Sequence, residues 1–203
     1  MNLHLRFVPG RPVRFRPIVL TLLAGGCSLF GPRDPQPPNR SGLNLPPQTS
    51  ADVVLSNLQA SISGKSSYDY MRCFTNPVGN PRGLTFIPSP DYLAELEPWD
   101  WNKESGFFTD LLAKAQPNGV ANLDLTEVSR IPSSDSVDYQ GIYTLNFETT
   151  PDNHFGSRAH GRVEFKIGLS DNQTRWTIYY WADNPERSGD TTWSAFKRRF
   201  STQ

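Results

Sequence analysis

The sequence predicts an α+β fold in which N-terminal helices pack on a curved antiparallel sheet of about four long strands. The fold class is indicated by a change in the spacing of apolar residues along the chain. Between residues 49 and 115 apolar side chains recur at helical spacing, whereas after Gly119 they alternate with polar side chains. Alternation is typical of strands that bury one face, so the helices are expected to cover that face of the sheet.

Three helices and one short strand are predicted before Gly119. The first helix begins at Ser50, whose hydroxyl can cap it, with Asp52 in its first turn. A second helix is expected to carry three apolar residues on one side, namely Tyr68, Met71 and Phe74. A short strand follows at residues 84–87, and the third helix spans residues 101–115.

Four long strands are predicted after Gly119, at residues 122–131, 137–147, 159–169 and 176–183. In the last strand, strict alternation would leave Trp181 on the exposed face. A β-bulge at Tyr179-Tyr180 would instead place Trp181 and Asp183 on the same face as Trp176 and Ile178. We therefore predict that bulge, or else a C-terminal helix that covers the opposite face.

The C-terminal helix is predicted from residues 193–200, where Trp193 and Phe196 would pack on the sheet. The basic run Lys197-Arg-Arg199 lies on this closing turn. Such a run is usually solvated, and three charges support headgroup binding only weakly. We therefore expect Lys197 to face solvent.

Residues 1–26 have the composition of a secretory signal peptide. Four arginines and no acidic residue precede a short apolar run at 18–24, and Gly25 and Gly26 follow. Cys27 comes directly after these small residues, so the segment 23–27 resembles the cleavage site of a bacterial lipoprotein. That resemblance implies that Cys27 is acylated and becomes the mature N-terminus. The alternative is an ordinary secretory signal followed by a chance cysteine.

Residues 27–48 are rich in proline and polar residues and predict a disordered tether, which leaves a single domain at 49–203. The resemblance to lipoproteins implies a membrane-anchored location in the bacterial cell envelope. Ser28, which stands where aspartate would retain an enterobacterial lipoprotein in the inner membrane, favours the outer membrane.

Charge and cysteine content exclude some classes of function. Removing residues 1–26 takes away four basic and no acidic residues, so the net charge falls from 0 to −4. A mildly acidic domain lacks the basic face that nucleic acid requires. With Cys27 acylated, Cys73 cannot form an intrachain disulfide. Its apolar surroundings favour a small buried side chain over a reactive nucleophile.

The order of helices and strands resembles the cystatin-like cone of the nuclear-transport-factor-2-like (NTF2-like) superfamily, and in particular its bacterial lipoproteins. The resemblance covers residues 49–200, and its most specific part is the aromatic ending at 176–183 and 193–197. It implies a cone-shaped α+β domain. Members include dehydratases, isomerases and binding domains, so the fold does not decide the function.

Four residues are candidates for lining a cavity in the cone. Tyr139, Tyr143 and Trp176 lie on apolar strand faces with polar atoms that could point inward, although we favour the alternative that they fill the core. Asp183 could act as a general base if it is desolvated, or it could order the turn at the end of its strand. His154 and His160 are not placed like a cavity base.

The sequence contains no metal-binding cysteine and histidine cluster, no phosphate-binding loop and no nucleophile motif, so we expect no metal, no cofactor and no catalytic residue. The preferred hypothesis is a lipid-anchored, non-catalytic domain that binds an envelope protein or a small ligand. A cavity enzyme of the lyase or isomerase type and a structural subunit of an envelope assembly remain open as alternatives.

Overall fold

A computed structural model describes residues 42–78, 82–150, 157–170 and 174–201. The predicted signal peptide, Cys27 and His154 lie outside the described residues. The helices are α1 (Ala51–Ser63), α2 (Ser67–Arg72), α3 (Leu93–Leu96), α4 (Trp101–Ala113) and α5 (Trp193–Phe200). The strands are β1 (Thr85–Ile87), β2 (Ala121–Pro132), β3 (Ser136–Phe147), β4 (Arg158–Leu169) and β5 (Trp176–Asn184).

The strands form one mixed sheet in the order β1-β5-β4-β3-β2. The four long strands pair antiparallel, as their alternation predicted. The prediction was incomplete in two respects. The short strand β1 joins the sheet as a fifth member and runs parallel to β5, and the helices are not all N-terminal, because α5 packs against the sheet from the C-terminal end.

The predicted bulge in β5 is confirmed. Lys166 pairs with Tyr180 and the next residue, Ile167, pairs with Ile178, so Tyr179 is the extra residue. Beyond this point Trp181 and Asp183 lie on the buried face with Ile178. A register without the bulge would place a whole indole on the outer face, and its burial is the physical reason for the irregularity.

The first described residues, 42–48, lie inside the stretch predicted as tether. Leu43 N–H donates to Asp69 Oδ2, and the Asn57 side chain donates to Pro46 O. The buried Gln48 accepts a backbone hydrogen bond from Trp176. Residues 42–48 are therefore packed on the domain and do not form a free tether.

The helices begin largely as predicted. Ser50 caps α1 by accepting from Val53 N–H, and Asp52 lies in the first turn. The prediction for α2 was wrong at Tyr68, which is 57% exposed. Cys73 is fully buried, as predicted, and burial raises the pKa of its thiol to about 12. A thiol with that pKa is protonated at neutral pH and therefore a poor nucleophile.

Candidate functional site

Trp181 is the centre of the interior, between the helices and the sheet. Its ring contacts Phe165 of β4, with centroids 5.5 Å apart, and Trp193 of α5 at 4.7 Å. Phe74 and Phe86 contact it at 5.8 and 5.0 Å. Trp181 is fully buried, so aromatic side chains occupy this part of the cone. Rings packed at these distances contribute stability beyond the area that they bury.

Asp183 and Tyr143 together cap the C-terminal helix. Asp183 Oδ2 accepts from the backbone N–H and the hydroxyl of Ser194, both at 2.6 Å. Tyr143 donates its hydroxyl to Asp183 Oδ1 at 2.8 Å and accepts from the N–H of Trp193 at 2.6 Å. The helix's own N-cap residue, Thr192, makes no side-chain cap. Two strands therefore satisfy the N–H groups that begin α5, and the carboxylate also faces the positive end of its dipole.

In this arrangement Asp183 binds groups of the protein itself. Burial raises the pKa of Asp183, while the hydrogen bonds from Ser194 and Tyr143 oppose that rise. Burial and the neighbouring Asp183 raise the pKa of Tyr143 well above its usual value. Both side chains are fully buried and direct their polar atoms at protein groups. Asp183 thus holds the first turn of α5, whereas the alternative considered from the sequence was that it orders the turn at the end of its own strand.

A second polar cluster lies between α4 and α5 and was not predicted as a site. Lys197 Nζ donates to Glu104 Oε2, and both side chains are fully buried. Trp99 Nε1 donates to the same carboxylate oxygen at 2.7 Å, and the Tyr70 hydroxyl donates to Oε1 at 2.6 Å. Each oxygen of Glu104 therefore has a hydrogen-bond donor, as a buried carboxylate requires.

Four aromatic rings surround the Lys197 ammonium and form what we call the aromatic cage. The distances from Nζ to the ring centroids are 4.0 Å for Trp181, 4.3 Å for Phe86, 4.9 Å for Trp99 and 5.0 Å for Phe107. Ring faces at these distances attract a cation. Burial lowers the pKa of Lys197 to about 8, and the contact with Glu104 opposes that shift.

The prediction that Lys197 faces solvent was wrong. Spacing along α5 could have revealed this, because Lys197 lies four residues after Trp193 and three before Phe200, in the middle of the apolar stripe. Glu104 likewise lies in the apolar stripe of α4, three residues after Trp101 and four before Phe108. Two helices that each carry one charged residue, of opposite sign, within an apolar stripe therefore indicate a buried ion pair. Arg198, by contrast, is exposed and pairs with Glu95.

The other candidate residues lie apart from both clusters. Tyr139 is buried, stacks on Phe165 at 6.2 Å and lies under the Arg130 guanidinium. Trp176 is half-buried at the start of β5. His160 is half-buried, and its Nδ1 lies 3.2 Å from the hydroxyl of Thr144. The structure therefore brings Tyr143 and Asp183 together and leaves Tyr139 and Trp176 elsewhere.

The surface carries a groove that we call the α4 groove. It has a volume of about 410 Å³, with Leu96, Trp99 and Phe107 among its lining residues. Its polar lining residues are Glu95, Asn102, Lys103, Asp110 and Ser201. Gly106 also lines it, and a Cβ at that position would meet nothing within 4 Å. Trp99 and Phe107 separate this groove from Lys197.

A smaller cavity of about 220 Å³ lies on the sheet and includes Val128, Arg162 and Asn184. None of the four predicted cavity residues lines either cavity. In the ranges that the structure describes, no three histidine, cysteine or acidic residues are grouped as metal ligands. The same ranges contain no helix that is long and apolar enough to cross a membrane.

The Glu104–Lys197 pair predicts a specific pattern of stability. Glu104→Gln or Lys197→Met alone should lower the free energy of unfolding by about 3–5 kcal/mol, because each leaves one buried charge without its partner. The double variant should lower the free energy of unfolding by less than the sum of the two single losses. Urea unfolding of the four proteins measures the coupling.

The exposed pair Glu95–Arg198 provides the matched control, since it joins α3 to the same helix α5. Glu95→Gln and Arg198→Met should each change the free energy of unfolding by at most about 1 kcal/mol. Additive costs at Glu104 and Lys197, or costs no larger than those of the exposed pair, would contradict a coupled buried pair.

The sequence matches no protein-family model and no curated protein. Solved structures do resemble the fold. A conserved protein from Planctomyces limnophilus superposes with a TM-score of 0.52 at 8% identity, over 66% of this chain and 91% of that one. A candidate aromatic ring hydroxylase from Novosphingobium aromaticivorans gives 0.50 at 11% identity, over 71% and 92%.

A candidate dehydratase of the NTF2-like family from Streptomyces avermitilis also superposes, with a TM-score of 0.50 at 9% identity. The match covers 68% of this chain and 94% of that protein. Identities this low carry information about fold and none about activity. The domain therefore has an NTF2-like α+β fold, built here on a five-stranded mixed sheet.

Proposed function

We propose that this protein is a lipid-anchored, non-catalytic binding domain of the bacterial cell envelope. The proposal that the domain is non-catalytic rests on the hydrogen bonds made by the polar side chains of the interior. Asp183, Tyr143, Glu104 and Lys197 are buried, and their hydrogen-bond partners are one another, α5, Tyr70 and Trp99. A catalytic acid or base must reach the substrate. Asp183 and Tyr143 instead join β5 and β3 to α5, and Glu104 and Lys197 join α4 to α5.

The anchor follows from the N-terminal sequence. Cys27 after Leu23-Ala-Gly-Gly26 is the proposed acylation site, and the proline-rich residues up to 41 would be the tether. One acyl chain binds a membrane only marginally, whereas two or more on one cysteine hold firmly. The domain would thus be held near the membrane, and Ser28 favours the outer membrane as its location.

The α4 groove supports the binding part of the proposal. Its volume of about 410 Å³ lies within the range of small-ligand sites. Gly106 lies in the middle of α4, where glycine costs about 1 kcal/mol relative to alanine. Because a Cβ there would meet nothing, packing does not require the glycine. Because Gly106 has no side chain, the groove is open at this position. The rings of Trp99 and Phe107 could pack against an apolar or aromatic group of a ligand or partner.

Acylation is tested by growing bacteria that express the protein with labelled palmitate. We expect label in the wild type, none in Cys27→Ser, and full labelling in Cys73→Ser, which changes the other cysteine and is the matched control. Residues 28–203 behind a secretory leader that is cleaved without acylation should fractionate as soluble protein. Label in Cys27→Ser, or none in the wild type, would refute the anchor.

The groove is tested with indole as an aromatic probe. Titration should shift the nuclear magnetic resonance signal of the Trp99 indole N–H in the wild type and in Gly106→Ala. Gly106→Leu, which places an isobutyl group in the groove, should weaken that response. Gly106→Ala is the matched control and should raise the free energy of unfolding by about 1 kcal/mol. An equal response in Gly106→Leu would contradict binding at this groove.

A further inference from the structure

The chain that leads from Cys27 joins the domain at helix α2. Gly42 lies against the Tyr68 ring, where an added Cβ would come within 2.8 Å of Cδ1, and Leu43 is held by Asp69. Fifteen residues separate Cys27 from Gly42. Fully extended, such a segment spans at most about 50 Å. An anchor at Cys27 would therefore keep the surface around Tyr68, where the chain enters the domain, within that distance of the membrane.

Two arginines lie on this same surface. Arg72 ends α2, and its guanidinium stacks over the Tyr68 ring at 5.6 Å. Arg175 directly precedes β5. The end of α2 adjoins the start of that strand, because Cys73 O accepts from Ile178 N–H at 2.8 Å. The pKa of Arg175 is lowered mainly by burial and further by the positive charge of Arg72, as expected of two neighbouring guanidinium groups.

The positive charge of this surface is only partly neutralised. Asp69 lies 3.9 Å from Arg72, but the carboxylate is buried, and its Oδ2 already accepts from Leu43 N–H and the Ser66 hydroxyl. Among the described residues no ion pair involves Arg175. The mature chain carries a net charge of −4, so two adjacent cations beside the tether stand out against an acidic domain.

Tyr68 adds an amphipathic group between these charges. It is the one aromatic side chain among the exposed large apolar residues of the described ranges. A tyrosine suits the boundary between headgroups and hydrocarbon, because its ring is apolar and its hydroxyl remains hydrated. Guanidinium groups bind phosphate oxygens through paired N–H donors. The chemistry of the surface therefore matches an anionic phospholipid layer.

We infer that Leu43, Tyr68, Arg72 and Arg175 form a tether face that rests on the membrane, with the arginines on anionic lipid phosphates and Tyr68 in the interfacial layer. The inference rests on the proposed anchor, which brings this face to the lipid. Two charges bind an anionic surface weakly by themselves. The anchor supplies the high local concentration that makes so weak a contact effective. The α4 groove would then be presented at a fixed orientation.

The test supplies the anchor artificially, so that it does not depend on acylation. Residues 28–203 with an N-terminal hexahistidine tag, in a Cys73→Ser background, are bound to vesicles that contain a nickel-chelating lipid. A polarity-sensitive dye is attached at Ser67→Cys, next to Tyr68, or at Val128→Cys on β2 at the far edge of the sheet. Vesicles contain phosphatidylcholine alone or with phosphatidylglycerol.

We expect the dye at residue 67 to brighten and shift to the blue on vesicles with phosphatidylglycerol, and the dye at residue 128 to stay unchanged. Arg72→Gln with Arg175→Gln should abolish the response, and so should about 1 M salt, at which the Debye length is about 3 Å. Arg162→Gln, which removes a cation from the exposed side of β4, is the matched control and should leave the response intact.

Three outcomes would overturn the inference. An equal response on neutral vesicles would mean that anionic lipid is not recognised. A response at residue 128 in place of residue 67 would mean that another face lies on the membrane. Loss of the response in millimolar inorganic phosphate would identify a site for the free anion. None of these outcomes bears on palmitate labelling at Cys27, so the two proposals can fail separately.

Discussion

The interaction on which the rest of the structure depends is the buried ion pair between Glu104 and Lys197. It joins helices α4 and α5 through two residues that are 93 positions apart in the chain, and neither charge has access to water. An unpaired charge at this position would cost several kcal/mol, so α4 and α5 are stable there only when both are docked. The aromatic cage and the hydrogen bonds from Tyr70 and Trp99 complete the environment of the pair. The cap that Asp183 and Tyr143 place on α5 fixes the same helix at its other end.

These contacts have a consequence for function. In a cone used for catalysis, polar groups in the interior must remain free to meet a substrate. Here their hydrogen bonds hold the C-terminal helix in place, and rings fill the space around Trp181. The binding that we propose would therefore occur at the surface, where the α4 groove and the tether face lie on different elements. One fold supports many functions because such sites can vary while the core is retained.

Local patterns in the sequence predicted much of the fold. Alternation gave the four long strands, and the need to bury Trp181 gave the bulge at Tyr179-Tyr180. The parallel partner of β1 could not be predicted, because no local signal states which strand a three-residue segment will join. The predicted bulge already placed Asp183 on the buried face of β5. Its hydrogen bond with Ser194 could not be predicted, because that contact depends on how α5 packs back on the sheet. Lys197 was misassigned because a basic run indicates solvent, while its helical spacing indicates the core.

The interior of the cone is closed in this structure, and hydrogen exchange at two indole N–H groups measures that closure. Trp181 and Trp193 are buried, and within the described chain neither indole nitrogen has a hydrogen-bond partner. Burial alone must therefore protect them from exchange. We predict that in deuterated water both nuclear magnetic resonance signals disappear only at the rate of global unfolding, which denaturant and Lys197→Met should accelerate. If the two signals instead disappear under native conditions as fast as those of an unstructured peptide, water enters the cone and its interior is open.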